Sequence, residues 1–383
     1  MDQTDWYRTQ VTVVNRARRL LSSVIAEPLL LRDGLGRQAN NFDLVRLIAA
    51  LMVLYGHAFS VTPQPGVADL LLAVTGFAAA GVAVKIFFFL SGVLVTNSLL
   101  DKRSVVEFMV ARFFRIWPGL LFVLLGSTFL IGALNTSLDL GAYFSNPSSY
   151  LYIKRQFLMQ SWGTQAAGYY SLPGVFETNP YPNIVNASLW SLVVEVVAYI
   201  AVAACFMLGI TSRIAALVLV AAVALDAVLP FRLIFWFLPK GNEDFSNLPF
   251  CFAVGFAAAV FKDKLRISLQ LPLGFLLLYW VLAGAENSRL LFYLLVFSFV
   301  LWFATHPVIL RFRPTADLSY GAFLWGFPIQ QVLAVHFASK GVLLNQLMAA
   351  ALTLFAAYAS WILVERRSIR FGHQLGKRLA GRA

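Results

Sequence analysis

The stretch Asn41 to Val61, NFDLVRLIAALMVLYGHAFSV, places an acid, a guanidinium and an imidazole (Asp43, Arg46 and His57) in an otherwise apolar run. A run of about 20 residues is long enough to cross a bilayer as a helix. Such a span tolerates ionisable groups only where they face protein or a wet cavity, so they mark a candidate site. At roughly 100° and 1.5 Å per residue, Arg46 and His57 lie about three turns apart on one face, about 16 Å in depth. Histidine suits proton abstraction because its ordinary pKa is near neutrality. Asp43 precedes Arg46 by one turn and is placed to pair with it. A helix-end acid–base pair beside a buried histidine would account for the same three residues, so this stretch alone does not choose.

Other residues could share the chemistry. Arg112 and Arg115 are one helical turn apart in ARFFRIWP. Guanidinium forks at that spacing suit phosphate oxygens, although anchoring beside a membrane span explains them as well. In NASLWSLVVEVVAYI, the residues Ser191, Glu195 and Tyr199 form a polar stripe at four-residue steps. A carboxylate that deep needs a partner, with Arg46, Lys85 or His57 as candidates; it would either orient a histidine or form a structural ion pair. Ser91-Gly92 reads as a packing pair, and Asp317 reads as the N-cap of a helix starting near Ser319. Cys205 and Cys251 lie in apolar runs and read as small buried hydrophobes. His306, His336 and His373 have no metal-ligand spacing, so no metal is expected. No P-loop, GxGxxG or GxSxG stretch stands out.

These residues belong to a membrane chain. Of 383 residues, 60% are hydrophobic and 13% charged, which departs from soluble composition towards a polytopic all-α membrane protein. Apolar runs predict about ten transmembrane helices, near 41–61, 83–100, 117–134, 189–209, 213–229, 248–261, 270–284, 290–305, 319–337 and 345–364. The third is read as opening at Trp117-Pro118, since proline is tolerated in a first turn. A net charge of +12 would suggest nucleic acid in a soluble protein, but here the distribution of basic residues speaks instead to orientation, and no nucleic-acid partner is expected. With the N-terminus inside, about 22 Lys and Arg fall on cytoplasmic segments and about 6 on outer ones, which predicts both termini cytoplasmic. Residues 1–40 form a basic N-terminal segment; Val11 to Leu31 reads either as an interfacial helix or as a solvated tail. Residues 41–365 form the membrane domain and 366–383 a basic cytoplasmic tail. The polar stretch 135–187, rich in Asn, Ser, Pro and Tyr, is too long for a plain connection and is expected to be functional. Residues 69–81 read as a re-entrant or interfacial piece.

Taken in order, FDLVRLIAALMVLYGH, FFFLSGVL, ARFFRIWP, NASLWSLVVEVVAYI, DLSYGAFLWGFPI and ILVERR resemble the acyltransferase-3 family of bacterial integral-membrane O-acyltransferases, over roughly residues 40–367. The resemblance implies a multi-pass protein of the bacterial inner membrane. It implies transfer of an acyl group, acetyl by preference, from cytoplasmic acyl-CoA to a hydroxyl of an extracytoplasmic or lipid-linked glycan. It further implies His57 as the essential histidine with Arg46 its motif partner, Glu195 as the fourth-span carboxylate, and Arg112 and Arg115 near the donor, acetyl-CoA. The chain departs from the family pattern at Gly326, where a histidine is common, and at Arg367, where a proline is common. Without that second histidine, His57 would act as the general base by itself. The rival class is a proton-coupled glycan or lipid exporter using His57, Arg46 and Glu195 as a relay, and a membrane scaffold is a third. No internal repeat supports the exporter.

Overall fold

A computed structural model describes residues 28–160, 170–229, 234, 247–282 and 288–381. The expected interfacial helix at Val11 to Leu31 falls almost wholly outside the described residues, as do Trp162, Tyr169 and most of 230–247. The longer helices are α1 (Phe42–Val61), α2 (Ala79–Lys102), α3 (Val105–Gly126), α4 (Pro147–Phe157), α5 (Trp190–Met207), α6 (Arg213–Val228), α7 (Leu248–Val260), α8 (Gln270–Val281), α9 (Ser288–Thr305), α10 (Ser319–Phe337), α11 (Val342–Ser360) and α12 (Arg366–Leu379). The described strands are β1 (Leu29–Leu30) and β2 (Arg266–Ile267).

Among the described residues, six helical stretches are long and apolar enough to cross a membrane: Phe42–Val61, Ala79–Lys102, Val105–Asn135, Ala187–Met207, Ser288–Thr305 and Val342–Leu379. This is a multi-pass membrane protein. Helices also form at the remaining expected spans, but α6, α7 and α8 have 16, 13 and 12 residues. At 1.5 Å per residue, these fall short of a hydrocarbon core of about 30 Å. Helix α10 has 19 residues and carries buried Gln330 and Gln331 on an otherwise apolar surface.

The chain divides into two compact units, Met1–Leu44 with Phe261–Arg313, and Val45–Val260 with Pro314–Ala383. In the smaller, β1 pairs antiparallel with β2, Leu29 opposite Ile267. The amide of Leu31 donates to Leu265 O at 2.8 Å, and Arg32 pairs with Asp263 at 3.5 Å. Helices α8 and α9 pack as a hairpin, with Tyr279 against Phe292. The Asn41 side chain donates to Ile309 O at 2.7 Å, and Arg313 donates to the carbonyls of Gln38 and Asn40.

The larger unit holds the candidate site. Its close-packed pair is α2 against α7. A Cβ added at Gly92 would lie 3.0 Å from the Cα of Gly255 and would collide with the Phe252 carbonyl oxygen. Only glycine lets the two backbones approach this closely, the device by which membrane helices gain packing energy without a hydrophobic drive between them.

Helix α3 corrects the sequence expectation. It opens at Val105, where the Ser104 hydroxyl accepts from the Glu107 amide at 3.3 Å, so the Ser-x-x-Glu order is a capping signature that starts the helix a dozen residues early. Pro118 is therefore interior, not first-turn, and leaves the Phe114 carbonyl without its helical donor. Arg112 and Arg115 stand two to three turns inside the helix, not on a connecting loop. The helix passes through a wide π turn at Ser127–Gly132, and the buried Tyr143 hydroxyl donates to the Thr128 carbonyl at 2.8 Å, taking up a backbone acceptor there.

The stretch 135–187 is not one loop. It contains helix Leu140–Ser145 and α4, and its later part is tied to α10: Asn179 donates to both the carbonyl and the amide oxygen of Gln331, at 3.0 and 2.9 Å. Gln331 in turn donates to the carbonyls of Tyr181 and Ile184, each at 2.7 Å, and Asn186 donates to Leu324 O at 2.8 Å. The stretch 69–81 contains the short helix Leu70–Thr75, capped by Asp69, and then the start of α2. Beyond α11 the expected basic tail begins as a helix. The chain runs through a π turn, Trp361–Glu365, into α12, which packs on α3 with Gly372 at Phe114 and Gly376 at Glu107.

Candidate active site

Asp317 is the hub of the basic end of the site. Its Oδ2 lies 2.6 Å from Arg115 Nη2 and 4.0 Å from Arg46 Nη1, while Oδ1 accepts from the Ser319 hydroxyl at 2.8 Å and from its amide at 3.3 Å. The sequence read Asp317 as the N-cap, but Leu318 holds that position and makes no side-chain capping bond; Asp317 instead ties Ser319 to the arginines. The carboxylate beside Arg46 is Asp317, and Asp43, the expected partner, is exposed. Burial pushes the Asp317 carboxyl up, but the guanidiniums of Arg115 and Arg46 outweigh it and hold the group well below the usual carboxylate range.

Arg112 is held differently. Its guanidinium lies over the rings of Phe108 and Tyr199, 6.0 and 5.9 Å from their centroids, and among the described residues no carboxylate stands at ion-pair distance. Its buried Nε makes no hydrogen bond there either. Arg115 lies over Tyr320, whose hydroxyl donates to Ile116 O at 2.8 Å, and so borrows that ring as a fixed wall.

The partner of Glu195 is neither Arg46, Lys85 nor His57, as the sequence suggested, but a pair of hydroxyls. Ser91 donates to Glu195 at 3.1 Å, Tyr199 donates to the same carboxylate oxygen, and the two hydroxyls are 3.2 Å apart. Ser91, read as packing, is therefore part of the polar cluster. Glu365, in the π turn, is buried and accepts from Ser360 at 2.7 Å close to Gly321 and Gly119. The signal for it was the ILVERR stretch; nothing local marked its burial.

Three cavities adjoin one another in this unit, sharing wall residues. The first, about 70 Å³, is lined by Arg46, Ser91, Arg112, Arg115, Glu195 and Tyr199 among others. The second, about 60 Å³, is lined by Val53, His57, Val84, Ser188, Ser191 and Phe323, with Ala80, Gly81 and Trp190. The third, about 300 Å³, is lined by His57, Ser60, Tyr170, Tyr181, Trp190 and Phe327, with Ile184 and Ala187. Val84, Ser191 and Phe323 border both the first and second cavities, whereas His57 and Trp190 border both the second and third. The His57 ring meets the edge of Phe327 at 5.2 Å.

The expected site residues therefore fall in two groups. Arg46, Glu195, Arg112 and Arg115 line one cavity, and His57 stands one cavity further along α1 at the mouth of the aromatic one. A basic end, a small middle cavity and a larger aromatic chamber thus adjoin, with the imidazole at the border of the last two. Among the described residues no group of three His, Cys, Asp or Glu side chains could hold a metal.

A family model described as an acyltransferase domain matches residues 40–365. An O-acetyl transferase of Shigella phage Sf6 is 28% identical over 341 residues, 86% of this chain and 96% of that protein. Nodulation protein 10 of Rhizobium leguminosarum bv. viciae is 45% identical over 87 residues, 21% of this chain and 22% of its own length. No solved structure matches the chain.

Proposed function

Since the chain belongs to the acyltransferase-3 family of membrane O-acyltransferases, we propose that it moves an acetyl group from acetyl-CoA to a hydroxyl of an extracytoplasmic or lipid-linked glycan, with His57 as general base. The observation that carries this reading is the row of adjoining cavities between the arginine cluster and His57. The O-acetyl transferase among its relatives supports acetyl as the group moved. The excess of Lys and Arg on one set of connections supports a cytoplasmic donor side in the bacterial inner membrane.

In this reading Arg112 and Arg115 grip the donor phosphates. Arg112 has no carboxylate at ion-pair distance among the described residues, and Arg115 is oriented by Asp317. The thioester reaches into the small middle cavity, and the acceptor sugar lies among Trp190, Tyr181 and Tyr170, whose rings suit the apolar face of a pyranose. His57 takes the proton of the acceptor hydroxyl as its oxygen attacks the thioester carbonyl. The new C–O bond forms, the C–S bond breaks, and the proton passes to the leaving sulfur. Arg46 and Glu195 line the donor side and set its polarity; they do not share the second cavity with the imidazole.

The test is binding of acetyl-CoA to the purified protein in detergent, with wild type compared with Arg112→Ala/Arg115→Ala. Saturable binding that the double variant loses supports the reading; no binding by folded wild type overturns the donor assignment.

A further inference from the structure

The cavity between the arginine cluster and the aromatic chamber, the neck, is the smallest of the three. At about 60 Å³ it has room for about four to six water-sized groups. That accommodates an acetyl group with its sulfur and is crowded by an acyl chain about twice as long. We propose that Val84 and Phe323 set the length of the acyl group this protein transfers, a proposal that rests on the donor and acceptor placement above.

The walls have little freedom to retreat. On one side α1 and α2 touch: a Cβ added at Gly56 would lie 2.8 Å from the backbone nitrogen of Ala80, so the wall made by Ala80 and Gly81 is backbone against backbone. Phe323, also in the wall, is 9% exposed and its ring meets the edge of Phe87 at 5.8 Å. Val53 and Val84 are 3% and 8% exposed. Side-chain atoms, not backbone, therefore decide the bore, and close packing means each methyl group counts.

Val84 and Phe323 are distinguished from Val53 because they border both the arginine cavity and the neck. With Ser191 they form the boundary shared by the two cavities, which a group moving from the donor side to His57 would pass. A β-branched valine is stiff about χ1, so it acts as a fixed stop and not a swinging gate. An apolar wall of this kind discriminates modestly, by about tenfold or more per added methylene.

The experiment uses the full chain in lipid vesicles. A panel of p-nitrophenyl hexopyranosides serves as acceptor probe, acetyl-, propionyl- and butyryl-CoA serve as donors, and thiol release is read. Val84→Ala is expected to raise the butyryl-to-acetyl ratio of kcat/KM about tenfold, and Val84→Ile to lower it. A ratio, unlike a rate, is not moved by partial misfolding, and the second variant gives a reading in the opposite direction if the first fails to fold. Normal acetyl transfer with an unchanged ratio in both variants overturns this proposal alone. Absence of acetyl transfer by wild type overturns the reading beneath it as well.

Discussion

Replacing Asp317 with Asn tests the architecture of the arginine cluster directly. The substitution keeps the shape and the bond from Ser319 but removes the charge that lies 2.6 Å from Arg115 and 4.0 Å from Arg46. At an effective dielectric constant near 20, these separations correspond to gross attractions of about 6 and about 4 kcal/mol. Dehydration of the three groups consumes much of that, because the Asp317 side chain is only 17% exposed and those of Arg46 and Arg115 only 23% and 13%. What remains after one partner of a buried pair is removed is a loss of about 3–5 kcal/mol, a large share of a typical folding free energy of about 5–15 kcal/mol. The assay is unfolding of the purified protein by denaturant, run as a double-mutant cycle with Arg115→Gln. The double variant should be less damaged than the sum of the singles by about 2 kcal/mol, since two neutral amides leave no orphan charge. The pH dependence has a definite sign. A carboxyl whose folded pKa is depressed contributes stability above its unfolded pKa of about 4, and that stability is lost as pH falls through the folded value. Wild type should therefore lose stability below about pH 4, and Asp317→Asn should lose correspondingly less there. Equal stability of wild type and Asp317→Asn at neutral pH, with no coupling to Arg115, would refute the hub.

Three further outcomes follow from the same contacts. His57→Ala should lower transfer by about 10²–10⁴-fold while leaving acetyl-CoA binding intact, because the donor grip lies in a different cavity; a parallel loss of binding would count against that division. Gly92→Ala drives a methyl group into the backbone of α7 and should prevent normal assembly, seen as loss of the monodisperse peak in size-exclusion chromatography, whereas Gly326→Ala, whose Cβ meets only Leu54 and Thr353 at ordinary distance, should not. Gln331→Ala leaves the carbonyls of Tyr181 and Ile184 and the amide of Asn179 short of partners, at a cost of about 1–3 kcal/mol, and should expose the 170–187 segment to limited proteolysis well before the helices.

Much of this protein was legible in one dimension because hydrophobic length and helical period are local properties. The run from Phe42 to Val61, the shared face of Arg46 and His57, and the one-turn spacing of Arg112 and Arg115 follow from 1.5 Å and 100° per residue whatever the rest of the chain does. The ordered motifs that mark the family are equally a property of the chain itself. The start of α3 was legible too, in Ser104 and Glu107, but was masked by the charges that follow and by the proline expected to open the span.

Partner choice was decided elsewhere. Nothing near Arg115 in sequence announces that its carboxylate comes from Asp317, some two hundred residues away, or that Glu195, beside Tyr199 on its own helix, takes a second hydroxyl from Ser91 and not a cation. These pairings depend on which helix faces meet, and that is set by packing at small residues such as Gly92 and Gly255 on helices whose composition does not specify a neighbour. The separation of His57 from the arginine cavity, and the neck between them, exist only once α1, α2, α5 and α10 close around the same space. A linear pattern names the groups and their depth along each helix; the cavity they share belongs to the fold.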